Sequence, residues 1–216
     1  MLALPVCALL VGLVTPRLTG PRQTLQYGGV PHPLRLKSAI SDLAKETDGG
    51  GSATPEQAAE MELMVQMLEE QNPSPAPCES AALMDGEWNQ LYTSNAIGIT
   101  YGDGNSMRRK LLGRLTGRVS QLISLEKGLY RQRIECWPVL RGQLRASFTV
   151  ASPTTWDVSF RRFTLSALTL VPFRWRKAEY RGVWTHTYLD SDTRVMRTRR
   201  EGGGGEFYFV LRRRRS

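Results

Sequence analysis

Residues 143–151 read QLRASFTVA, and this stretch decides the fold. Leu144, Ala146, Phe148 and Val150 alternate with Arg145, Ser147 and Thr149. Successive side chains of a strand point to opposite faces, so one face of this segment is buried and the other is wet. The same period of two recurs outward from it, over residues 88–93, 118–125 and 130–137 on one side. On the other side it runs over 155–165, 181–189, 193–199 and 206–211, each rich in β-branched and aromatic residues. Eight or so strands without intervening helices predict a mainly β fold, an antiparallel sheet that closes into a barrel, because open edges template aggregation. A barrel of eight strands encloses just enough room for side chains or one small ligand.

Two helices are expected before the barrel. Leu36, Ile40 and Leu43 fall at i, i+4 and i+7, the face of a helix ending near Thr47. Residues 48–52 (DGGGS) read as a flexible break. Thr54, Pro55 and Gln57 then supply an N-cap, a proline at the first helical position and a capping-box partner. Met61, Met64, Val65 and Leu68 form the apolar stripe of this second helix, with Glu60, Glu62, Glu69 and Glu70 facing water. Pro73, Pro75 and Pro77 end it in an extended linker.

The formal charge of +9 is unevenly spread. Residues 42–103 hold twelve acids and one base, Lys45, whereas residues 104–216 hold twenty-four bases and eight acids. A basic back half suits an anionic partner, either nucleic acid or a membrane of acidic lipids, or else is a solvated surface. Cys7, Cys78 and Cys136 are odd in number and lack CxxC spacing, so neither a disulfide framework nor a zinc site is expected and a reducing compartment fits. Leu2 to Val14 is apolar apart from Pro5 and Gly12, too short for the roughly 20 residues of a membrane-spanning helix. The acid-free stretch that follows, broken by Pro16, Pro21, Pro31 and Pro33, has transit-peptide composition. Residues 1–33 therefore read as a targeting leader, either a transit peptide with an apolar start or a signal peptide joined to a transit peptide; an uncleaved terminus is the remaining alternative. Residues 34–77 read as the helical segment and linker, 78–212 as the barrel and 213–216 as a basic tail. No transmembrane span is expected in the mature protein.

Catalytic signatures are missing from the sequence: no G-x-S-x-G elbow, P-loop, H-E-x-x-H or dinucleotide fingerprint occurs. Neither a catalytic residue, a metal nor a cofactor is expected. His32 falls in the leader and His186 in a strand. Asp190 and Asp192 share a face where a strand gives way to a turn, and carboxylates there usually accept backbone N–H groups. The four glycines at 202–205 read as a loose hairpin loop.

Two sets of residues carry a family resemblance. Leu68, Glu69, Asn72 and Pro73 lead into Leu83, Gly86, Trp88, Leu91, Tyr92, Thr93 and Ser94. Near the end come Thr187, Tyr188, Leu189, Asp190, Asp192, Arg194, Val195 and Arg197, then residues 207–211, FYFVL. In order and spacing they resemble the opening and closing of the plastid lipid-associated protein (PAP)/fibrillin domain of plants and algae, over roughly residues 34–212. The Arg-rich segment 107–118, the tetraglycine and the terminal arginines depart from that pattern. The resemblance implies a lipocalin-like barrel, plastid import, residence on plastoglobules or thylakoids, and binding or coating of carotenoid, quinone, acyl or prenyl lipids without catalysis. It implies that Trp88 plugs one barrel end under Arg194 or Arg197, and that Asp190 and Asp192 occupy positions suspected of touching ligand.

Candidate residues lining an apolar cup are Leu91, Leu144, Phe148, Trp156, Phe160, Trp184 and Tyr188, with Trp88, Tyr92, Asp190, Asp192 and Arg194 completing the ligand set. Phe173, Arg174, Trp175, Arg176 and Lys177, next to Leu168, Leu170 and Val171, mix rings and cations as a membrane-surface patch would, or as a strand core with a basic loop would. Two other readings remain open: a nucleic-acid-binding barrel using the arginines and aromatic platforms, and a lipid-processing enzyme acting through His186.

Overall fold

The structure, a computed structural model, describes residues 31–95, 118–136, 140–167, 171–175, 180–200 and 205–214. Helix α1 (Pro33–Glu46) opens on a proline, where the missing N–H is no loss, and the His32 imidazole accepts from Leu34 N–H at 3.3 Å. Helix α2 (Pro55–Glu69) carries the expected capping box in both directions. Thr54 Oγ1 accepts from Gln57 N–H at 3.2 Å, and Gln57 Oε1 accepts from Thr54 N–H at 3.0 Å. A four-residue helix, α3 (Ala81–Met84), follows the proline segment and was not expected.

Nine strands follow: β1 (Gly86–Thr93), β2 (Arg118–Ser124), β3 (Leu129–Cys136), β4 (Leu140–Ser152), β5 (Thr155–Ala167), β6 (Val171–Trp175), β7 (Tyr180–Leu189), β8 (Thr193–Arg200) and β9 (Phe207–Arg213). All neighbours are antiparallel, in the order β4-β3-β2-β1-β9-β8-β7-β5-β6, and a β4–β5 pairing closes the ring. The barrel thus has eight strands. The ninth, β6, arises because β5 is 13 residues long: its first part pairs with β7 and its last with β6 along the same edge.

Two apolar clusters hold the molecule. One fills the barrel with Trp88, Ile123, Tyr130, Leu144, Phe148, Trp156, Phe160, Trp184, Leu189, Met196 and Leu211. The other lies between the helices and the outside of β1, β7, β8 and β9, where Leu36, Ile40, Leu43, Met61, Met64, Val65 and Leu68 pack on Tyr92, Tyr188, Val195, Tyr208 and Val210.

Residues 48–52 are no loose break. Asp48, Gly49 and Gly50 all take positive φ, and a side chain on Gly50 would collide with the Thr93 carbonyl, so the turn lies tight against β1. The proline segment is likewise strapped down. Asn72 Oδ1 accepts from Leu189 N–H at 3.0 Å, and Cys78 N–H donates to the Pro153 carbonyl at 2.9 Å.

Candidate functional site

Strand alternation brings Trp88, Phe148, Trp156, Trp184 and Arg194 into the barrel interior. Phe148 stacks on Trp156 with centroids 3.9 Å apart, and Tyr130 meets Trp184 edge-on at 4.8 Å. Trp88 is completely buried and donates its indole N–H to the Met84 carbonyl at 2.9 Å. Two guanidiniums cover this ring, Arg213 at 4.4 Å and Arg194 at 5.2 Å from the centroid. Arg197, the other sequence candidate, instead lies over Tyr208 at 5.2 Å, because residue 197 has the opposite strand parity to residue 194. Arg213 also donates to the carbonyls of Leu83, Asp85 and Ser191, tying the last strand across α3.

Tyr92 and Tyr188 do not line the interior as expected. The β1–β9 pairing shifts register between Gln90 and Tyr92, and the β7–β8 pairing shifts between His186 and Tyr188. One extra residue in each strand inverts the alternation, so both rings turn outward beneath the helices. Leu91 is only partly buried and packs on that outer cluster. Leu189 takes the inward place instead.

Asp190 and Asp192 follow Tyr188 to the outside. Asp190 Oδ1 accepts from the N–H groups of Asp192 and Thr193 at 2.9 and 2.8 Å, and its Oδ2 from Tyr188 Oη at 2.6 Å. Lys37 of α1 pairs with Asp190 and, at 2.7 Å, with Asp192. Burial alone would raise the Asp190 pKa, but the bonds from Lys37, Tyr188 and the two backbone amides outweigh it and hold it down to about 2. These carboxylates latch α1 to the β7–β8 turn. Glu62 and Glu69 of α2 were expected in water. They hold Arg197 instead, Glu69 through both oxygens at 2.8 and 2.9 Å and Glu62 at 2.8 Å.

His186 is fully buried, its ring centred 4.1 Å from that of Trp156, and neither nitrogen has a hydrogen-bond partner among the described residues. Burial, reinforced by Arg194, pushes the imidazole well below its ordinary value, so it is neutral. A general base needs a group to orient it and a proton within reach. Neither is present for His186 among the described residues. Cys78, pushed up to about 12 chiefly by burial, stays a thiol. No three His, Cys, Asp or Glu side chains among the described residues cluster as a metal site, and no described helix is long and apolar enough to cross a membrane.

Opposite the helices no described helix covers the outer wall of β2, β3 and β4. Leu122 and Leu129 are 46% and 51% exposed. Between and beside them stand exposed Arg131, Arg133 and Arg145. The register places Leu122, Arg131, Arg145 and Arg162 in one row across four strands. Arg131, Arg133 and Arg145 make no ion pair among the described residues, and Glu135 is the nearest acid along β3. The sequence reading missed this wall, although Arg131 and Arg133 already stood two apart on one strand face. Its own surface candidates lie elsewhere: Phe173, Arg174 and Trp175 are on β6, while Arg176 and Lys177 fall outside the described residues, as do residues 1–30, most of 107–118, 202–204 and the last two residues.

Comparison with known proteins agrees with the barrel and its end motifs. The PAP_fibrillin family model matches residues 34–212. Probable plastid-lipid-associated protein 5, chloroplastic, of Arabidopsis thaliana is 25% identical over 185 residues, covering 86% of this chain and 72% of that protein. Chromoplast-specific carotenoid-associated protein C1, chromoplastic, of an Oncidium hybrid cultivar is 43% identical over 61 residues, 28% of this chain and 19% of that protein. Plastid lipid-associated protein 1, chloroplastic, of Brassica campestris is 42% identical over 60 residues, 28% of this chain and 18% of that protein. The last two matches cover less than a fifth of those relatives. Their names support a plastid localisation and an association with lipid.

Proposed function

The chain belongs to the PAP_fibrillin family, and from that premise we propose that it is a non-catalytic protein that docks on anionic plastid lipid surfaces, plastoglobule or thylakoid, through the bare wall of its barrel. There it coats or binds hydrophobic lipids such as carotenoids, quinones and acyl or prenyl chains. The observation that carries this reading is the wall itself: exposed Leu122 and Leu129 among three arginines without ion-pair partners among the described residues. Cations near an acidic leaflet contribute about 1 kcal/mol each, so Arg131, Arg133 and Arg145 supply about 3 kcal/mol, roughly two decades of affinity. The leucines add apolar contact at the headgroup boundary at about 25 cal/mol per Å² removed from water. A nucleic-acid groove has little use for exposed leucines, whereas a lipid surface accepts them.

Vesicle flotation tests the reading. Vesicles containing phosphatidylglycerol should bind the protein, and binding should weaken from 0.1 M to 1 M salt as the Debye length shrinks from about 10 Å to about 3 Å. The triple variant Arg131→Glu, Arg133→Glu, Arg145→Glu should release it. Equal, salt-independent binding to neutral galactolipid vesicles would move the contact to some other, purely apolar surface. Tighter binding to single-stranded RNA than to any vesicle would replace the lipid reading with the nucleic-acid one.

A further inference from the structure

Arg194 is buried completely in the barrel, yet no carboxylate bonds it among the described residues. Its guanidinium donates to Gln121 Oε1 and, at 3.5 Å, to the Met84 sulfur, and its Nε–H has no partner. Every other buried or half-buried cation just described is met by carboxylates or backbone carbonyls. Around Arg194 the shortage extends to its neighbours. Gln121 Nε2, Trp156 Nε1 and both His186 nitrogens are also without a partner among the described residues, and these three side chains, like Arg194, are fully buried. The four enter from β2, β5, β7 and β8, four strands around the barrel, with Gln121 bonded to Arg194 and His186 packed on Trp156. The Gln121 oxygen, already taken by Arg194, is the single side-chain oxygen acceptor in this set.

Such a group lacks two things, a free oxygen acceptor and a negative charge. Unpaired charge in an apolar interior is strongly unfavourable, and buried donors are ordinarily satisfied. Water would supply an acceptor but no charge. We propose that the barrel interior at Arg194 is an anion site that takes the carboxylate of a long-chain fatty acid. A planar carboxylate matches the guanidinium fork and carries one charge against one. A phosphate monoester brings nearly two charges to the same single cation. Gln121 Nε2, Trp156 Nε1 and one nitrogen of neutral His186 donate to the remaining lone pairs. The inference rests on the lipid reading above, from which it differs in naming an interior site and a head group.

The test uses the full chain, palmitate, and hexadecanol as the uncharged partner of equal chain length. Palmitate should bind at least ten-fold more tightly than hexadecanol. The carboxyl carbon of bound [1-13C]palmitate should stay ionised about 1–3 pH units below the point at which free palmitate titrates, since a neighbouring Arg depresses a carboxyl by that much. Arg194→Met should abolish the preference for palmitate. Should that variant fail to fold, Gln121→Leu should reduce the preference, and the wild-type contrast stands by itself. Equal affinity for palmitate and hexadecanol would overturn the anion site and leave lipid binding intact. Tighter binding of farnesyl phosphate than of palmitate would overturn the carboxylate assignment. Uptake of neither chain by a protein that still floats with acidic vesicles would show that the interior holds only water, overturning this inference and sparing the surface reading. Loss of vesicle binding with palmitate binding retained would do the reverse.

Discussion

The two outer walls of the barrel are built from the same alternating strands and end in opposite chemistry. On the wall of β1, β7, β8 and β9, outward residues are Tyr92, Tyr188, Val195, Tyr208 and Val210, covered by α1 and α2, and Lys37 and Arg197 are closed by carboxylates. On the wall of β2, β3 and β4, the outward residues are Leu122, Leu129, Arg131, Arg133 and Arg145, with no helix over them and no ion pair among the described residues. A pair of helices that bury one wall make it part of the stability of the fold; a wall left open is free to meet something else. The segregation of charge along the chain acquires a spatial meaning here: the acidic front half supplies Glu62 and Glu69, which meet Arg197 on one wall, while Arg131, Arg133 and Arg145 of the basic back half stand exposed on the other.

The sharpest way to break this contrast is in the helices. Ile40 is 1% exposed, and Ile40→Ala should destabilise the protein by about 2–5 kcal/mol, as large-to-small core changes do. Urea denaturation measures it; a change below about 0.5 kcal/mol would show that α1 merely rests on the barrel.

A smaller effect is expected from the latch. Asp190 is held down to about 2 when folded, against an ordinary value of 3.8. The sign follows directly: a carboxyl depressed on folding contributes stability that is complete above its unfolded pKa and disappears as pH falls through its folded one. Stability should therefore fall between about pH 5 and pH 2, by on the order of 2 kcal/mol. In Lys37→Met that acid limb should flatten, as melts at stepped pH would record. An unchanged limb would assign the acid sensitivity elsewhere.

Smallest of all should be changes on the bare wall. Leu129→Ala and Arg145→Ala should each shift stability by no more than about 0.5 kcal/mol, the usual range for surface substitutions. A loss comparable with that of Ile40→Ala would mean this wall is structural, and the proposed docking face would be lost with it.

Much of this was legible in residue order. The capping box of Thr54 and Gln57, the stripes of α1 and α2, and the strands around Phe148 all depend on local periodicity, and they stand where the sequence put them. The family motif narrowed the cation over Trp88 to Arg194 or Arg197; the structure puts Arg194 there, and adds Arg213. Gln121 was not, because nothing local distinguishes a strand glutamine that faces a buried arginine from one that faces water. Glu62 and Glu69 misled for the same reason: their partner, Arg197, is more than 125 residues away.

The sequence by itself determined that this chain makes a closed antiparallel barrel with capped helices ahead of it, and which family it resembles, since each rests on spacing within short segments. Only the tertiary structure decided what the barrel encloses and what it shows. Alternation counts residues along one strand, but a bulge is created by two strands pairing, and a single extra residue at Leu91 or Thr187 inverts everything beyond it. That inversion placed Tyr92 and Tyr188 beneath the helices and carried Asp190 to Lys37 on the outside, away from Arg194, which no carboxylate bonds among the described residues.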